Sequence, residues 1–159
     1  MICFIEGTRE LRRNIVITLQ DKGLLVRGDD AWPAIAKNCG TFLNYETQLA
    51  AYYRNCQINL NTTSIQMPTA VNQRVFDCPA AGGFLLTDHQ QTLNELFDIE
   101  CEIAAYNSPQ ECRDLFRHYR DHPKERTRIT TRARTRILAE HTYKNRLNTI
   151  FDIVQQRYG

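Results

Sequence analysis

No apolar run in this sequence approaches the roughly 20 residues needed to span a bilayer. The N-terminus also lacks the succession of charged start, apolar centre and small-residue cleavage site that marks a leader. A soluble, cytoplasmic chain without a membrane span is the expectation. The six cysteines, Cys3, Cys39, Cys56, Cys78, Cys101 and Cys112, include no Cys-x-x-Cys pair and are widely spread, several of them inside apolar segments. That usage reads as buried reduced thiols and not as a disulfide framework. His, Cys and carboxylate residues nowhere cluster at metal-binding spacing, so no metal site is expected. Charge of one sign is missing too: 20 Lys and Arg against 18 Asp and Glu leave a formal charge of +2, a balance that points neither toward nor away from nucleic acid. At 159 residues the chain is long enough for one domain with a single core, 1–159, and too short for two.

Residues 66–88 organise the rest. Pro68 suits the first turn of a helix and Gly82–Gly83 its end, because glycine takes the left-handed conformation past a helix terminus without a Cβ clash. A helix of about four turns is predicted between them. Phe84-Leu85-Leu86 follows as a continuous apolar run closed by Thr87-Asp88, the pattern of a strand buried on both faces of a parallel sheet. The stretch is thus one helix-to-strand unit of an α/β sheet. On its helix Arg74, Asp77 and Ala81 share one side, while Val71 and Val75 lie one turn apart on another.

Similar units are predicted upstream. Residues 2–5 form an apolar run read as a strand, closed by Glu6-Gly7-Thr8, after which Leu11, Ile15 and Leu19 recur at helical spacing on a helix capped by Thr8. Leu24-Leu25-Val26 reads as the second strand, and residues 27–33 as a turn-rich exit carrying Trp32, either a platform for a base or a lid over the core edge. Phe42-Leu43 reads as a short third strand, residues 46–55 as a helix with Leu49, Tyr52 and Tyr53 inward, and residues 57–61 as a central strand. Thr62, Thr63 and Ser64 then place three hydroxyls at a strand's carboxyl end, where open α/β sheets bind ligands. Turn and N-cap duty accounts for them equally well.

Beyond Asp88 the pattern becomes helical, from about 109 to 157. Ser108-Pro109-Gln110-Glu111 supplies an N-cap, a proline at N1 and a glutamate at N3, with Cys112, Leu115, Phe116 and Tyr119 as the buried stripe. A second helix opens at Pro123 with Ile129, Ala133 and Ile137 inward and Arg126, Arg128, Arg132, Arg134 and Arg136 on its other sides. Because these arginines surround the helix and lack interleaved aromatics, nucleic acid is not the expected partner. The last helix starts near Thr142 and turns Leu147, Ile150, Phe151 and Val154 inward.

The run from Arg74 to Asp88, Arg-Val-Phe-Asp-Cys-Pro-Ala-Ala-Gly-Gly-Phe-Leu-Leu-Thr-Asp, resembles the Arg-x-Phe-Glu-Ala-x-Ala-x-Gly-x-x-Leu-Leu-Thr segment of CgeB-like, group 1 glycosyltransferases. The stretch from Gly28 to Trp32 is similar to that family's Tyr-Gly-Asp-x-x-Trp step, and His141-Thr142 through Arg146 to its closing His-Thr-x-x-x-Arg segment. The resemblance implies the C-terminal, donor-binding half of a GT-B fold: a Rossmann-like three-layer domain with a central parallel sheet, helices on both faces and an all-helical end. The acceptor-binding N-terminal half is then absent from this chain, which is expected to be inactive alone, as a cut or a natural half-protein.

On that resemblance the substrate is a nucleotide-diphosphate sugar. Asp77 holds its ribose hydroxyls, since a carboxylate accepts from two vicinal hydroxyls. Gly7 and Thr8, with Arg12, receive the diphosphate at a helix N-terminus. Thr62, Thr63 and Ser64 contact the same phosphates, Arg74 neutralises them as the nucleotide leaves, and Asn44 follows the strand after which backbone groups hold the base. No cofactor or metal is expected, because such enzymes stabilise the leaving group with cationic side chains and helix dipoles. No catalytic base is assigned. Two positions depart from the family: Asp77 is one methylene shorter than the usual Glu, and Thr69 stands where many relatives carry an earlier Glu. The alternative is a non-catalytic nucleotide-binding or protein-interaction module that keeps the fold, with Arg74 and Asp77 serving as an i, i+3 ion pair of the helix alone.

Overall fold

A computed structural model describes residues 2–67 and 69–158, with the backbone alone for residues 2–5. Seven α-helices and five short strands are described: α1 Ile2–Leu19, β1 Val26–Arg27, β2 Cys39–Gly40, α2 Leu49–Asn55, β3 Asn59–Leu60, α3 Arg74–Ala80, β4 Leu85–Asp88, α4 Leu93–Leu96, β5 Ala104–Tyr106, α5 Pro109–Asp121, α6 Pro123–Glu140 and α7 Tyr143–Tyr158. Every strand pair is parallel. The strands fall in two sheets and not in one, β1-β2 and β3-β4-β5.

β4 is central and buried along its whole length, as its apolar run predicts. Its register, Leu85 opposite Asn59 and Leu86 opposite Ala104, lets alternate side chains face opposite ways. Phe84, Leu86, Ala104 and Tyr106 join Ile15 and Leu19 of α1, Cys112 and Tyr119 of α5 and Ile129 of α6 in one core cluster. Leu85 and Ile103 join Tyr53 of α2, Val75 and Cys78 of α3, Leu93 of α4 and Ile137 of α6 in a second. Helices therefore contribute to both clusters that pack against these strands. Burial of each large side chain contributes about 1.5–3 kcal/mol, which makes β4 the axis of the fold.

Local signals explain several element ends. α3 ends in a full Schellman motif: Gly82 takes φ +90°, its N–H reaches Pro79 O at 2.9 Å, and Gly83 N–H reaches Cys78 O at 2.9 Å. Gly83 is needed for space, since a Cβ there would lie 2.7 Å from Tyr53 O. α5 begins where Ser108 accepts from Glu111 N–H at 3.2 Å, and Glu111 reaches back to Asn107 N–H at 2.7 Å. Pro123 drives His122 out of helical geometry, at φ −119° and ψ 68°, and so separates α5 from α6.

Several sequence expectations are corrected. Residues 2–5 are not a strand: α1 runs continuously through them, and Gly7 and Thr8 sit inside the helix, not at its N-terminus. A four-residue apolar run cannot distinguish strand from helix, and one internal glycine costs a helix only about 1 kcal/mol. The helix ahead of Gly82 has two turns, not four, because Asn72 Oδ1 accepts from Arg74 N–H at 3.1 Å and starts the helix there. Pro68, its expected opening residue, lies outside the described residues. The second and third strands shift to Val26–Arg27 and Cys39–Gly40, leaving Phe42 73% exposed. α7 is helical as expected, but none of its residues is buried: Leu147, Ile150, Phe151 and Val154 are all exposed. Its base is held by the His141 ring, 5.5 Å from Phe76 and 5.7 Å from Phe97, and by Arg146 over Phe76 at 4.7 Å. The five described cysteine thiols are free, with Cys78 and Cys112 buried.

Candidate functional site

The carboxyl ends of β3, β4 and β5 gather polar side chains from distant segments into one network. Asp88 closes β4 and is 8% exposed, so its carboxylate must be satisfied by protein donors. Oδ1 accepts from Thr63 N–H at 2.8 Å, Thr63 Oγ1 at 3.0 Å and Thr87 Oγ1 at 3.2 Å, and Oδ2 accepts from Gln90 Nε2 at 3.0 Å. Asn61 donates to Thr87 Oγ1 at 3.0 Å and accepts at Oδ1 from Asn72 Nδ2 at 2.9 Å, which ties the start of α3 to the end of β3. Tyr106, at the end of β5, donates to Asn61 O at 2.8 Å and lies 3.1 Å from Thr62 Oγ1. Burial pushes its phenol well above the ordinary tyrosine range.

The three hydroxyls after β3 are therefore not equivalent. Thr63 is buried and spent on Asp88, Thr62 is shared with Tyr106, and Ser64 turns toward α1, 3.3 Å from Thr8 Oγ1. Thr8 Oγ1 also accepts from Ile65 N–H at 3.2 Å, so α1 docks on this loop through its middle turns. Gly7 permits the approach, as a Cβ there would stand 3.2 Å from Ile65 Cδ1. Thr8, Arg12 and Ser64 line a cleft of about 750 Å³ together with Arg9, Trp32 and Gln66.

Asp77 faces Tyr45. The Tyr45 hydroxyl donates to Asp77 Oδ2 at 2.5 Å, and that bond holds the phenol's pKa up at about 12. Arg74 and Asp77 do not pair with each other: no such ion pair is among those of the described residues. Arg74 is exposed on the first turn of α3, close to Tyr53, whose phenol is raised by burial and partly lowered by that guanidinium. Asn44 closes the turn that leads into α2. Its Oδ1 accepts from Glu46 N–H at 3.0 Å and Thr47 N–H at 2.9 Å, while its own N–H donates to Gln48 Oε1 at 2.9 Å. No group of three or more His, Cys, Asp or Glu among the described residues is placed to hold a metal ion.

Sequence reasoning passed over Asn61, Asn72, Asp88, Tyr106 and Tyr45. Asp88 carried a usable signal, an acid at the carboxyl end of the most apolar strand. Tyr45 carried none, because its partner lies 32 residues away.

The network lies at the carboxyl ends of the strands, the end at which open α/β sheets generally bind ligands. A family model described as glycosyl transferase-like matches residues 8–152. The chain belongs to that glycosyl transferase-like family. No curated protein matches it. Membership fits the mixed α/β architecture with parallel sheets and a helical C-terminal segment. The family match covers every element from the middle of α1 to the middle of α7.

Proposed function

We propose that this chain is the donor-binding, Rossmann-like half of a CgeB-like GT-B glycosyltransferase, a single domain over 1–159 that takes a nucleotide-diphosphate sugar. The acceptor is held by a separate N-terminal half. The observation that carries the reading is the Asp77 carboxylate, whose Oδ2 is held, among the described residues, by one neutral donor, Tyr45. Two vicinal ribose hydroxyls supply the same kind of hydrogen bond twice over, one replacing Tyr45 at Oδ2 and the other meeting Oδ1. Arg74, one turn earlier and without a carboxylate partner among the described residues, offers its guanidinium to the diphosphate, with Thr62 and Ser64 as hydroxyl donors. As the glycosyl bond breaks, negative charge grows on the leaving diphosphate and these donors stabilise it. Gly7 and Thr8 shape the wall next to Ser64, and Arg12 contributes charge from the adjoining cleft. The base that activates the acceptor lies with the acceptor half.

The test is thermal unfolding of this chain against a panel of nucleoside diphosphates and their sugar conjugates, in wild type and Asp77→Ala. A ligand at about a hundred times its dissociation constant adds roughly 2.7 kcal/mol, a shift of several degrees for a domain of this size. One diphosphate shifting wild type but not a folded Asp77→Ala is the expected outcome. Equal shifts in both proteins would remove Asp77 from the site and leave a nucleotide-binding module of another kind.

A further inference from the structure

α6 carries a second pattern besides its buried stripe of Ile129, Ala133 and Ile137. Arg126, Thr130 and Arg134 recur at i, i+4 and i+8 and so form one row along the helix, with Thr127, Thr131 and Thr135 in the row beside it. These rows wall a pocket of about 450 Å³ whose opposite side is Arg54 at the end of α2 and whose floor is Gln57, Gly82 and Phe84. Gln57 precedes β3 and Phe84 precedes β4, so this pocket lies at the amino ends of the strands, the far end of the sheet from Thr62, which follows β3.

Its chemistry is one-sided. No carboxylate lines it, and Arg54, Arg126 and Arg134 take part in no ion pair among the described residues. Arg126 and Arg134 are each anchored by one nitrogen. Arg126 Nη1 donates to the Tyr119 and Arg120 carbonyls at the end of α5, and Arg134 Nε donates to Ala80 O at 3.0 Å at the end of α3. Anchoring by one nitrogen leaves the rest of each guanidinium fork available, and the Arg54 side chain makes no hydrogen bond among the described residues. Thr130 adds an independent sign. Thr127 and Thr135 donate back to Pro123 O and Thr131 O at 3.1 and 3.0 Å, whereas Thr130 Oγ1 is buried with no partner. A buried hydroxyl without a partner, walled by unpaired guanidiniums, is a site that lacks its acceptor.

We propose that this pocket binds a phosphate-type oxyanion of diphosphate size, held by Arg54, Arg126 and Arg134 and accepting the Thr130 hydroxyl. Phosphate presents several strong acceptor oxygens at the spacing a guanidinium fork fits, and a hollow of about 450 Å³ has room for a small anion of this kind. This site is separate from the donor site at the other end of the sheet and does not depend on it.

The experiment is calorimetric titration of the full chain with inorganic pyrophosphate at moderate salt, in wild type, Arg54→Gln, Thr130→Val and Arg74→Gln, the last of which reads any pyrophosphate held at the donor site instead. Arg54→Gln removes no hydrogen bond from the unliganded fold, and Thr130→Val removes a buried hydroxyl that has no partner, so both variants keep the wild-type melting temperature or exceed it. Each is expected to weaken pyrophosphate binding about tenfold, the loss of one charge-assisted hydrogen bond, while Arg74→Gln leaves it unchanged; a loss in Arg74→Gln and not in Arg54→Gln overturns the proposal. Absence of heat with wild type at millimolar pyrophosphate, or undiminished affinity in Arg54→Gln and Thr130→Val, overturns the proposal. A single-stranded oligonucleotide that binds more tightly than pyrophosphate, with the same dependence on Arg54, would overturn it in favour of a nucleic-acid surface.

Discussion

The Tyr45 hydroxyl and the Asp77 carboxylate meet at 2.5 Å across 32 residues of sequence, closing the loop before α2 onto the side of α3. The contact puts a neutral donor on the acidic group that the proposed function assigns to a nucleotide's ribose. It also gives the loop between β2 and α2 its link to the candidate site.

Breaking that contact from the tyrosine side has a direct readout. Tyr45→Phe leaves Asp77 Oδ2 without its donor, so a ribose hydroxyl no longer has to displace one. Nucleoside diphosphate affinity is expected to rise a few-fold, with stability changed by about 0.5 kcal/mol or less for so exposed a pair. Calorimetry alongside urea denaturation checks both; weaker binding in Tyr45→Phe would make Tyr45 a ligand contact and not a placeholder.

The same bond sets a pH window. Tyr45 keeps its proton to about 12 in the folded chain, against about 10 in an unfolded one. Between those values the folded state holds a proton that the unfolded state has lost, so this contribution to stability is complete below about pH 10 and fades as pH rises toward 12. In Asp77→Ala the Tyr45 titration should fall back toward the ordinary value, read by carbon NMR of ring-labelled tyrosine. A midpoint unmoved by the substitution would show that the bond does not persist in solution.

Asp88 is expected to be the costliest polar side chain to remove. Asp88→Ala strips the acceptor from Thr63 N–H, Thr63 Oγ1 and Thr87 Oγ1 and leaves those donors buried, a loss of about 3 kcal/mol or more. Asp88→Asn keeps an acceptor oxygen for them and should lose less. Denaturant midpoints rank the two, and a reversed order would contradict the network.

Two neighbouring glycines separate strain from space. Gly82→Ala meets only the Arg54 side chain at 3.6 Å but must hold φ +90°, costing about 1–2 kcal/mol. Gly83→Ala would bring a Cβ within 2.7 Å of Tyr53 O and 2.8 Å of Asn59 Nδ2, and the backbone must move. The expected loss is about 3 kcal/mol, larger than at Gly82, by urea denaturation of both variants.

Thiol mapping tests the core. Burial pushes Cys112 up to about 12 and Cys78 higher still, so neither supplies thiolate near neutrality. Iodoacetamide at pH 8 followed by peptide mapping should label the half-exposed Cys39, Cys56 and Cys101 while sparing Cys78 and Cys112 in the folded chain. Equal labelling of all five would mean that the two core clusters open readily.

Much of the fold was legible because its signals are local. Phe84-Leu85-Leu86 announced the central strand, Ser108-Pro109 and Pro123 opened two helices, and Ile129, Ala133 and Ile137 marked the buried stripe of α6. Each depends on period, cap or proline, which act over a few residues. The run at 2–5 misled because four apolar residues suit either element, and the outcome was a helix packed on α5. The stripe of α7 was legible as amphipathic, yet period alone does not say what, if anything, covers it.

The candidate site divides in the same way. Residue type and order placed Asp77 and Arg74 on one helix, ahead of a glycine-closed turn and a buried strand, and put hydroxyls after the strand before it. Whether two charges on one helix pair with each other or turn to other partners is a tertiary question, and here Asp77 takes Tyr45 while Arg74 faces Tyr53. Register decided that Thr63 is consumed by Asp88 while Thr62 turns to Tyr106, because β3, β4 and β5 must align before those side chains can meet. Short-range chemistry fixes which groups a segment can offer; the burial and pairing that decide which of them remain available exist only once distant segments are in contact.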